Sequence, residues 1–259
     1  MALYGLVADV HGNREALGAV LAAMDQRGAK NLLCLGDIVG FNADPDECVT
    51  MLRERGALSI AGNHDLIGLG RLDAGRCSNK AMYSLKRTRR VLAPESARYL
   101  AALPDYRVIG ESIVLVHGGV RDVEQNMATG AHIKANAAYL SHDFPEARLC
   151  FFGHNHQQKL YEVNGDEVVE RIASTRVELD WAKTYFINPG AVDASRKRGH
   201  KLAECALLDT LAWSIEFVRV PYDCAATEAK AAVFGYRIPP LLDSLYSLRN
   251  RLFRRLGFA

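Results

Sequence analysis

The sequence of 259 residues lacks several features that indicate particular classes of protein. It has 32 basic and 30 acidic residues, and this near balance does not favour nucleic acid or an anionic membrane as a partner. No segment approaches the ~20 consecutive apolar residues that span a bilayer. Met1 precedes an apolar stretch that is too short for a signal peptide. Internal repeats and low-complexity linkers are also absent, so we expect one cytoplasmic domain over residues 1–259, with no membrane partner.

Cysteines are present, but they form no CxxC pair and show no spacing typical of a disulfide framework. Several of them lie inside apolar runs. We therefore expect reduced thiols that serve as buried packing residues, as in a cytoplasmic protein. The six are Cys34, Cys48, Cys77, Cys150, Cys205 and Cys224.

The chain begins with strands and helices in alternation. Three apolar, strand-like runs, LYGLVAD, NLLCLGD and ALSIAGN, enclose two helical segments. In the first helical segment, Leu17, Val20, Leu21 and Met24 recur with helical spacing and predict its buried face. Strands that alternate with helices in this way favour a parallel sheet built from right-handed crossovers.

Later segments change in character. Residues 66–105 are polar and helical, and they predict a cap-like insertion that covers a site. The stretches that follow are rich in strands, with a hairpin turn at Asn164 and Gly165. Residues 225–259 form a C-terminal helical segment. Four leucines with three- to four-residue spacing predict a buried face there: Leu241, Leu245, Leu248 and Leu252.

Polar side chains follow five apolar runs, at the point where each predicted strand ends. The carboxyl ends of parallel strands face a common crevice, so these side chains are expected to converge. Carboxylate, imidazole and amide oxygen are ligands for divalent metals, and seven of them suit two ions that share a carboxylate. Asp37 stands alone after its glycine and is the natural shared ligand. The seven are Asp9, His11, Asp37, Asn63, His117, His154 and His156.

The motifs DVHGN, GDIVG, GNHD, HGG, GHNH and NPGAV occur in this order. Together they resemble the calcineurin-like metallophosphoesterase superfamily, specifically its small bacterial and archaeal phosphoesterase branch. The similarity covers nearly the whole chain. It implies an α/β fold, a four-layer α/β/β/α sandwich of two mixed β-sheets flanked by helices. It also implies one metal held by Asp9, His11, Asp37 and His156, and another held by Asp37, Asn63, His117 and His154.

The resemblance implies an enzyme that hydrolyses phosphodiester or phosphomonoester bonds of small, nucleotide-type substrates. A metal-bridging hydroxide would attack, Asp37 would bridge the metals, and His64 would be the general acid or electrostatic residue near the leaving oxygen. Mn²⁺ is the expected metal, with Fe, Zn²⁺, Co²⁺ and Ni²⁺ as alternatives. A dinucleoside polyphosphate hydrolase is the alternative enzyme. A metal-binding scaffold protein is the non-enzymatic alternative.

Several residues near the motifs allow two interpretations. Asp65 either orients His64 or is a helix N-cap or a solvated turn residue. Phe41 and Asn42 either contact a base or ribose or pack beside a turn. The run 196–198, which reads RKR, either contacts a second phosphate or lies in a solvated turn.

Two further features limit the class of substrate. Gly40 stands where protein phosphatases of the wider superfamily carry an aspartate, so the motif does not favour a protein phosphatase. The basic runs at 86–90 and 249–255 are interpreted as solvated helix faces. Without an extended basic surface that is interleaved with aromatics, polymeric nucleic acid is not the expected substrate.

Overall fold

The structure is a computed structural model that describes residues 3–173 and 175–255. Its strands are β1 (Leu3–Val7), β2 (Asn31–Cys34), β3 (Leu58–Ser59), β4 (Arg107–Ile109), β5 (Ile113–Leu115), β6 (Leu149–Phe151), β7 (Gln158–Asn164), β8 (Glu167–Arg171), β9 (Arg176–Glu178), β10 (Thr184–Pro189), β11 (Ala203–Asp209) and β12 (Ser214–Val220). Its helices are α1 (Arg14–Gln26), α2 (Pro45–Glu54), α3 (Asn63–Gly68), α4 (Asn79–Val91), α5 (Pro94–Ala101), α6 (Gly130–Asp143), α7 (Cys224–Val233) and α8 (Pro240–Arg255).

The strands form two mixed sheets of six strands each. The first has the order β3-β2-β1-β11-β12-β9, and β1, β2 and β3 are parallel neighbours. The second has the order β4-β5-β6-β10-β7-β8, and β5, β6 and β10 are parallel neighbours. The parallel half of each sheet supplies the strand ends at which the polar motifs stand.

Alternate residues along the central strands bury both faces of the first sheet. Leu6 of β1 belongs to the core cluster between the two sheets, where it joins Leu115 of β5 and Phe151 of β6. Val7 points the other way, into the cluster formed with Leu17 of α1. Two-sided burial explains why these strands read as continuous apolar runs.

Helices cover the outer faces of both sheets. α1 and α2 pack on the first sheet through residues such as Val20 and Leu52. α6 packs on the second sheet, where Ile133 and Leu140 join Phe186 of β10. The order helix, sheet, sheet, helix confirms the predicted four-layer sandwich.

The predicted buried face of α1 and the predicted hairpin turn are confirmed. Leu17, Val20 and Met24 are buried on one face of α1, and Leu21 packs partly against the same cluster. Ser78 caps α4 by accepting from the amide of Ala81. Pro94 begins α5, and Gly165 takes a φ of +57° in the turn between β7 and β8.

The predicted buried face of the C-terminal helix is wrong. Leu241, Leu245 and Leu248 of α8 are 75%, 53% and 50% exposed. The side chain of Leu252, like the basic run 249–255, lies outside the described residues. α8 contacts α4 through a polar edge instead, where Asn79 Nδ2 donates to Asp243 Oδ1 at 3.2 Å. The face of α8 that packs is therefore set by its contact with α4. The spacing of the leucines within α8 does not predict it.

The six cysteines are free thiols in the structure. Cys34, Cys48, Cys150 and Cys205 are buried as expected, whereas the side chains of the other two are only partly buried.

Among the described helices, none combines the length and apolar character that a membrane span requires.

Candidate metal centre

The first sheet positions Asp9, Asp37 and Asn63 at one end, just beyond β1, β2 and β3. The loops that carry them are tied together by backbone hydrogen bonds. The amide of His11 donates to the carbonyl of Asp37 at 2.8 Å, and the amide of Asp9 donates to the carbonyl of Gly36 at 3.1 Å. A Cβ at Gly62 would lie 2.2 Å from Asp37 Oδ1, so only glycine permits this close approach.

The second sheet brings three histidines to the same place. His117 follows β5, and His154 and His156 follow β6. The amide of Gly153 donates to the carbonyl of His117 at 2.8 Å, and the amide of His154 donates to Asp9 Oδ1 at 3.2 Å. The second contact joins the two sheets, so the site lies where the carboxyl ends of both parallel halves meet.

Five of the seven predicted ligands adopt left-handed backbone conformations. A positive φ is uncommon outside glycine, and such strain persists only where the surrounding structure enforces it. The strained conformations turn the side chains of successive polar residues towards one point instead of to opposite faces of a strand. The five are Asp9 (φ +55°), His11 (+52°), Asp37 (+53°), His154 (+64°) and His156 (+57°).

Asp9, His11 and His156 form one cluster of possible ligand atoms. Nε2 of His11 lies 3.0 Å from Nε2 of His156, and Nε2 of His156 lies 3.4 Å from Asp9 Oδ1. Asp37 Oδ2 lies 3.7 Å from Nε2 of His11.

Asp37, His117 and His154 form a second cluster, and Asn63 lies among them. Nε2 of His117 lies 3.4 Å from Asp37 Oδ1 and 3.1 Å from Asn63 Oδ1. Nδ1 of His154 also lies 3.1 Å from Asn63 Oδ1. Asp37 therefore directs one carboxylate oxygen to each cluster, which is the position of a shared ligand.

The donor set fits cations. Nδ1 of His117 donates to the carbonyl of Leu35 at 2.6 Å, because a carbonyl can only accept. Its Nε2 then faces the oxygens of Asp37 and Asn63. The lone pair of Nε2 would repel those of the oxygens unless a proton or a metal ion lies between them. Asp9 Oδ2 is buried without a hydrogen-bond partner among the described residues. Buried polar atoms are nearly always satisfied, so both observations fit bound divalent ions.

Electrostatics lead to the same conclusion. Burial alone would lower the pKa of His117, but the carboxylates of Asp37 and Asp9 and the carbonyl of Leu35 together outweigh it and raise that pKa to about 9. Burial raises the pKa of Asp9 to about 7. Buried carboxylates are costly without a nearby positive charge, and this site favours positive charge where the two clusters meet.

His64 lies beside the two clusters. Its backbone amide donates to Asp37 Oδ1 at 2.7 Å, and its ring centroid lies 4.7 Å from that of His11. Its Nδ1 is buried and unpaired among the described residues. Burial lowers the pKa of His64 to about 4, so the ring is neutral at pH 7. Gly40 makes room for it, since a Cβ at position 40 would lie 2.6 Å from that Nδ1.

Asp65 does not orient His64, so the first of its two interpretations is wrong. Its Oδ1 accepts from the amides of Ile38 and Val39 at 2.9 and 3.1 Å, and its Oδ2 accepts from the amide of Gly62 at 2.9 Å. The carboxylate caps α3 and fastens the loop of Asp37 to the loop of Asn63. Its contribution is to hold two metal-site loops in register.

Packing also accounts for Phe41 and Asn42. Asn42 is fully buried, and its Nδ2 donates to the carbonyl of His11 at 3.1 Å. Phe41 is 8% exposed, and its ring lies between His11 and the guanidinium of Arg196, which stands 3.4 Å above the ring centroid. Both residues therefore pack against the predicted ligand His11, and Phe41 also lines the cavity that contains Asp37 and His64.

Sequence reasoning did not identify Arg76 and Glu124 as site residues. Both line the cavity of about 250 Å³ that also contains Asp37, His64 and Arg196. Arg76 stands between α3 and α4, and its guanidinium pairs with Asp122 at 3.0 Å and with Glu124 at 3.3 Å. No motif surrounds either residue, and their pairing joins segments that are distant in sequence. Only the location of Arg76 inside the predicted cap-like insertion could have indicated its role.

Comparisons with known proteins agree with the fold. The calcineurin-like phosphoesterase superfamily domain matches residues 2–212. An uncharacterised protein of Methanocaldococcus jannaschii is 32% identical over 224 residues, which cover 85% of this chain and 88% of that protein.

Solved structures show the same architecture. A metallophosphoesterase from Sphaerobacter thermophilus is 30% identical, with a TM-score of 0.74 over 93% of this chain and 97% of that one. A hypothetical protein from Pyrococcus horikoshii is 18% identical, covers 95% of this chain and 97% of its own, and shares the fold with a TM-score of 0.71. The chain therefore belongs to the calcineurin-like phosphoesterase superfamily and is a hydrolase that acts on phosphate esters.

Proposed function

We propose that this protein is a dimetal-dependent phosphoesterase that hydrolyses phosphodiester or phosphomonoester bonds of small, nucleotide-type substrates. The observation that carries the proposal is the position of Asp37. Its two oxygens face two clusters of mostly buried imidazole and oxygen atoms, at 3.7 Å from His11 and 3.4 Å from His117. A single carboxylate between two such clusters suits two neighbouring ions.

Asp9, His11, Asp37 and His156 would hold one ion, and Asp37, Asn63, His117 and His154 would hold the other. Mn²⁺ is the metal that we propose, with Fe, Zn²⁺, Co²⁺ and Ni²⁺ as the alternatives that imidazole and carboxylate also accept. When bound, two divalent ions supply positive charge to phosphoryl oxygens and make water a better nucleophile.

The chain's own residues would orient the substrate and assist the leaving group. His64 is held beside the clusters by its backbone contact to Asp37 Oδ1, so its ring faces the cavity, where it can donate to a leaving oxygen. Arg76 and Arg196 line the same cavity and would contact phosphoryl oxygens as charged donors. Burial of the ligands limits water around these groups and strengthens their electrostatic interactions.

Two alternative functions can be distinguished from this proposal by experiment. A dinucleoside polyphosphate hydrolase would use the same site on an anhydride linkage. A scaffold protein would bind metals without turnover. The presence of His64 and of the charged residues in the cavity favours an enzyme, because binding of metal alone requires neither.

The decisive measurement is the initial rate of metal-stripped protein with added Mn²⁺. The panel contains a generic phosphodiester, a generic phosphomonoester, 2′,3′-cyclic nucleotides and diadenosine polyphosphates. We expect metal-dependent turnover of an ester. Preference for diadenosine polyphosphates would favour the alternative enzyme, and the absence of turnover on the whole panel would contradict the proposal.

The Asp37→Asn variant provides the internal control for that experiment. It removes the negative charge shared by the two clusters and should lower both the bound metal, measured by mass spectrometry, and the rate. Lys134→Ala is the matched surface variant, since Lys134 pairs only with the exposed Asp166 in the described structure. It should keep both properties of the wild type.

A further inference from the structure

A second cavity, of about 440 Å³, lies beside the metal centre. His156 and Arg196 line both this cavity and the one that contains Asp37 and His64, so the two spaces adjoin. One wall is the loop between β10 and β11, which follows the NPGAV motif. The opposite wall includes Gln158 at the start of β7 and Arg219 of β12.

Arg196 is fixed at the boundary between the two cavities. Its Nε donates to Oδ2 of Asp193 at 3.0 Å, and its guanidinium lies on the ring of Phe41. Asp193 is 1% exposed and also accepts from Asn13 Nδ2 at 2.9 Å, so the carboxylate itself is immobilised. A guanidinium held in this way loses little freedom when it binds an anion.

A second buried carboxylate organises the rest of the pocket. Glu204 of β11 is 3% exposed and pairs with Lys197, with His200 Nε2 at 3.1 Å and with Arg219 Nε at 3.4 Å. The glycine of NPGAV makes this possible, because a Cβ at Gly190 would lie 2.2 Å from Glu204 Oε2. One acid thus holds several cationic groups around the same space.

Positive charge exceeds negative charge in this pocket. Four arginine and lysine side chains line it, at positions 196, 197, 198 and 219, against the two carboxylates at 193 and 204. Arg198 has no ion pair within residues 3–173 and 175–255. A cavity with such an excess attracts anions, and guanidinium groups match the geometry of phosphate.

We propose that this basic pocket binds a second phosphate group of the substrate. The preferred substrates are then phosphate esters that carry another phosphate near the scissile one. The inference rests on the proposed function, because it assigns a substrate class to the same metal centre. The run 196–198 lies in a partly exposed turn, from which its basic side chains would contact this phosphate.

The test compares two substrates that differ by one phosphate: the dinucleotide ApA and its 5′-phosphorylated form, pApA. With Mn²⁺ present, the wild type should prefer pApA by at least ~10-fold in kcat/KM, as expected for one added charge-assisted contact. Arg198→Ala and Arg219→Ala should each reduce this preference several-fold, and Arg198→Glu should abolish it. Arg198→Lys should retain part of it.

Arg53→Ala is the matched control, since it also removes one arginine but on the outer helix α2, where Arg53 pairs with Glu95. It should keep the wild-type preference. Equal kcat/KM for the two dinucleotides, or a preference that survives Arg198→Glu, would overturn the pocket assignment and leave the phosphoesterase proposal intact.

If neither dinucleotide is hydrolysed, that result counts against the proposed activity on diesters. A binding measurement then tests the basic pocket separately. Calorimetry at fixed free Mn²⁺ compares methylphosphonate with methylenediphosphonate. The wild type and Arg53→Ala should bind the diphosphonate at least ~10-fold more tightly, and Arg198→Glu should lose this difference. Chelation of Mn²⁺ affects all variants alike, so equal affinity ratios in all three would refute the inference.

Discussion

Gly40→Ala tests whether the space beside His64 determines activity. Gly40 has a φ of +105°. A Cβ there would lie 2.6 Å from Nδ1 of His64, and Cβ atoms essentially never approach another heavy atom to less than 3.0 Å. The backbone strain alone costs about 1–3 kcal/mol. Because Nδ1 belongs to a side-chain ring and not to the backbone, the fold should survive and the imidazole should rotate away.

The expected effect on catalysis is larger than the effect on stability. A displacement on the order of 1 Å in a positioned catalytic group costs on the order of 100-fold in rate. We expect kcat for a diester with a poor leaving group to fall by about that factor. Bound metal should stay at the wild-type level, because His64 belongs to neither ligand set.

Gly28→Ala separates the steric effect from backbone strain. Gly28 also has a positive φ, +77°, but a Cβ there would meet nothing within 4 Å. It should lower the free energy of urea unfolding by about 1–2 kcal/mol without changing kcat. Wild-type kcat in Gly40→Ala on the poor leaving group would refute the role that we give to this space.

Three further perturbations follow from the same geometry. His64→Ala should keep the metals and lose most turnover on poor leaving groups, while retaining more on p-nitrophenyl esters; equal losses on both would contradict leaving-group assistance. Asp65→Ala leaves three buried amides without their acceptor, so urea unfolding should show a loss of about 3 kcal/mol or more, and an unchanged midpoint would argue against the loop-fastening role. Mn²⁺ at ~100 times its Kd should stabilise metal-stripped protein by about 2.7 kcal/mol per ion, and thermal unfolding that does not respond to Mn²⁺ would count against the metal centre.

The predicted ligand residues could be found because each stands in a local context. Asp37, for example, follows an apolar run and a glycine, and the carboxyl ends of parallel strands meet by a general rule of topology. Alternation of strands and helices predicted the parallel half of the first sheet, whereas the four layers were implied only by the resemblance to the superfamily. Fixed order among several short motifs then indicated the superfamily.

Residues whose role depends on distant partners could not be assigned in the same way. Asp65 follows His64 in sequence, yet its carboxylate serves the amides of Ile38 and Val39. Arg76 has no motif around it, and its place in the site depends on Asp122 and Glu124. Neither set of contacts can be inferred from the sequence pattern around the residue.

The sequence by itself determined the strand ends, the polar residues that follow them and the chemistry of the candidate ligands, because these depend on near neighbours and on strand topology. Only the tertiary structure decided the second cavity, the orientation of α8 and the partners of the charged side chains. Glu204 illustrates the difference. As one residue of an apolar strand it predicts little, whereas its burial against Gly190 and its contacts with Lys197, His200 and Arg219 define the basic pocket. Such contacts are decided by which surfaces meet when the sheets and helices pack.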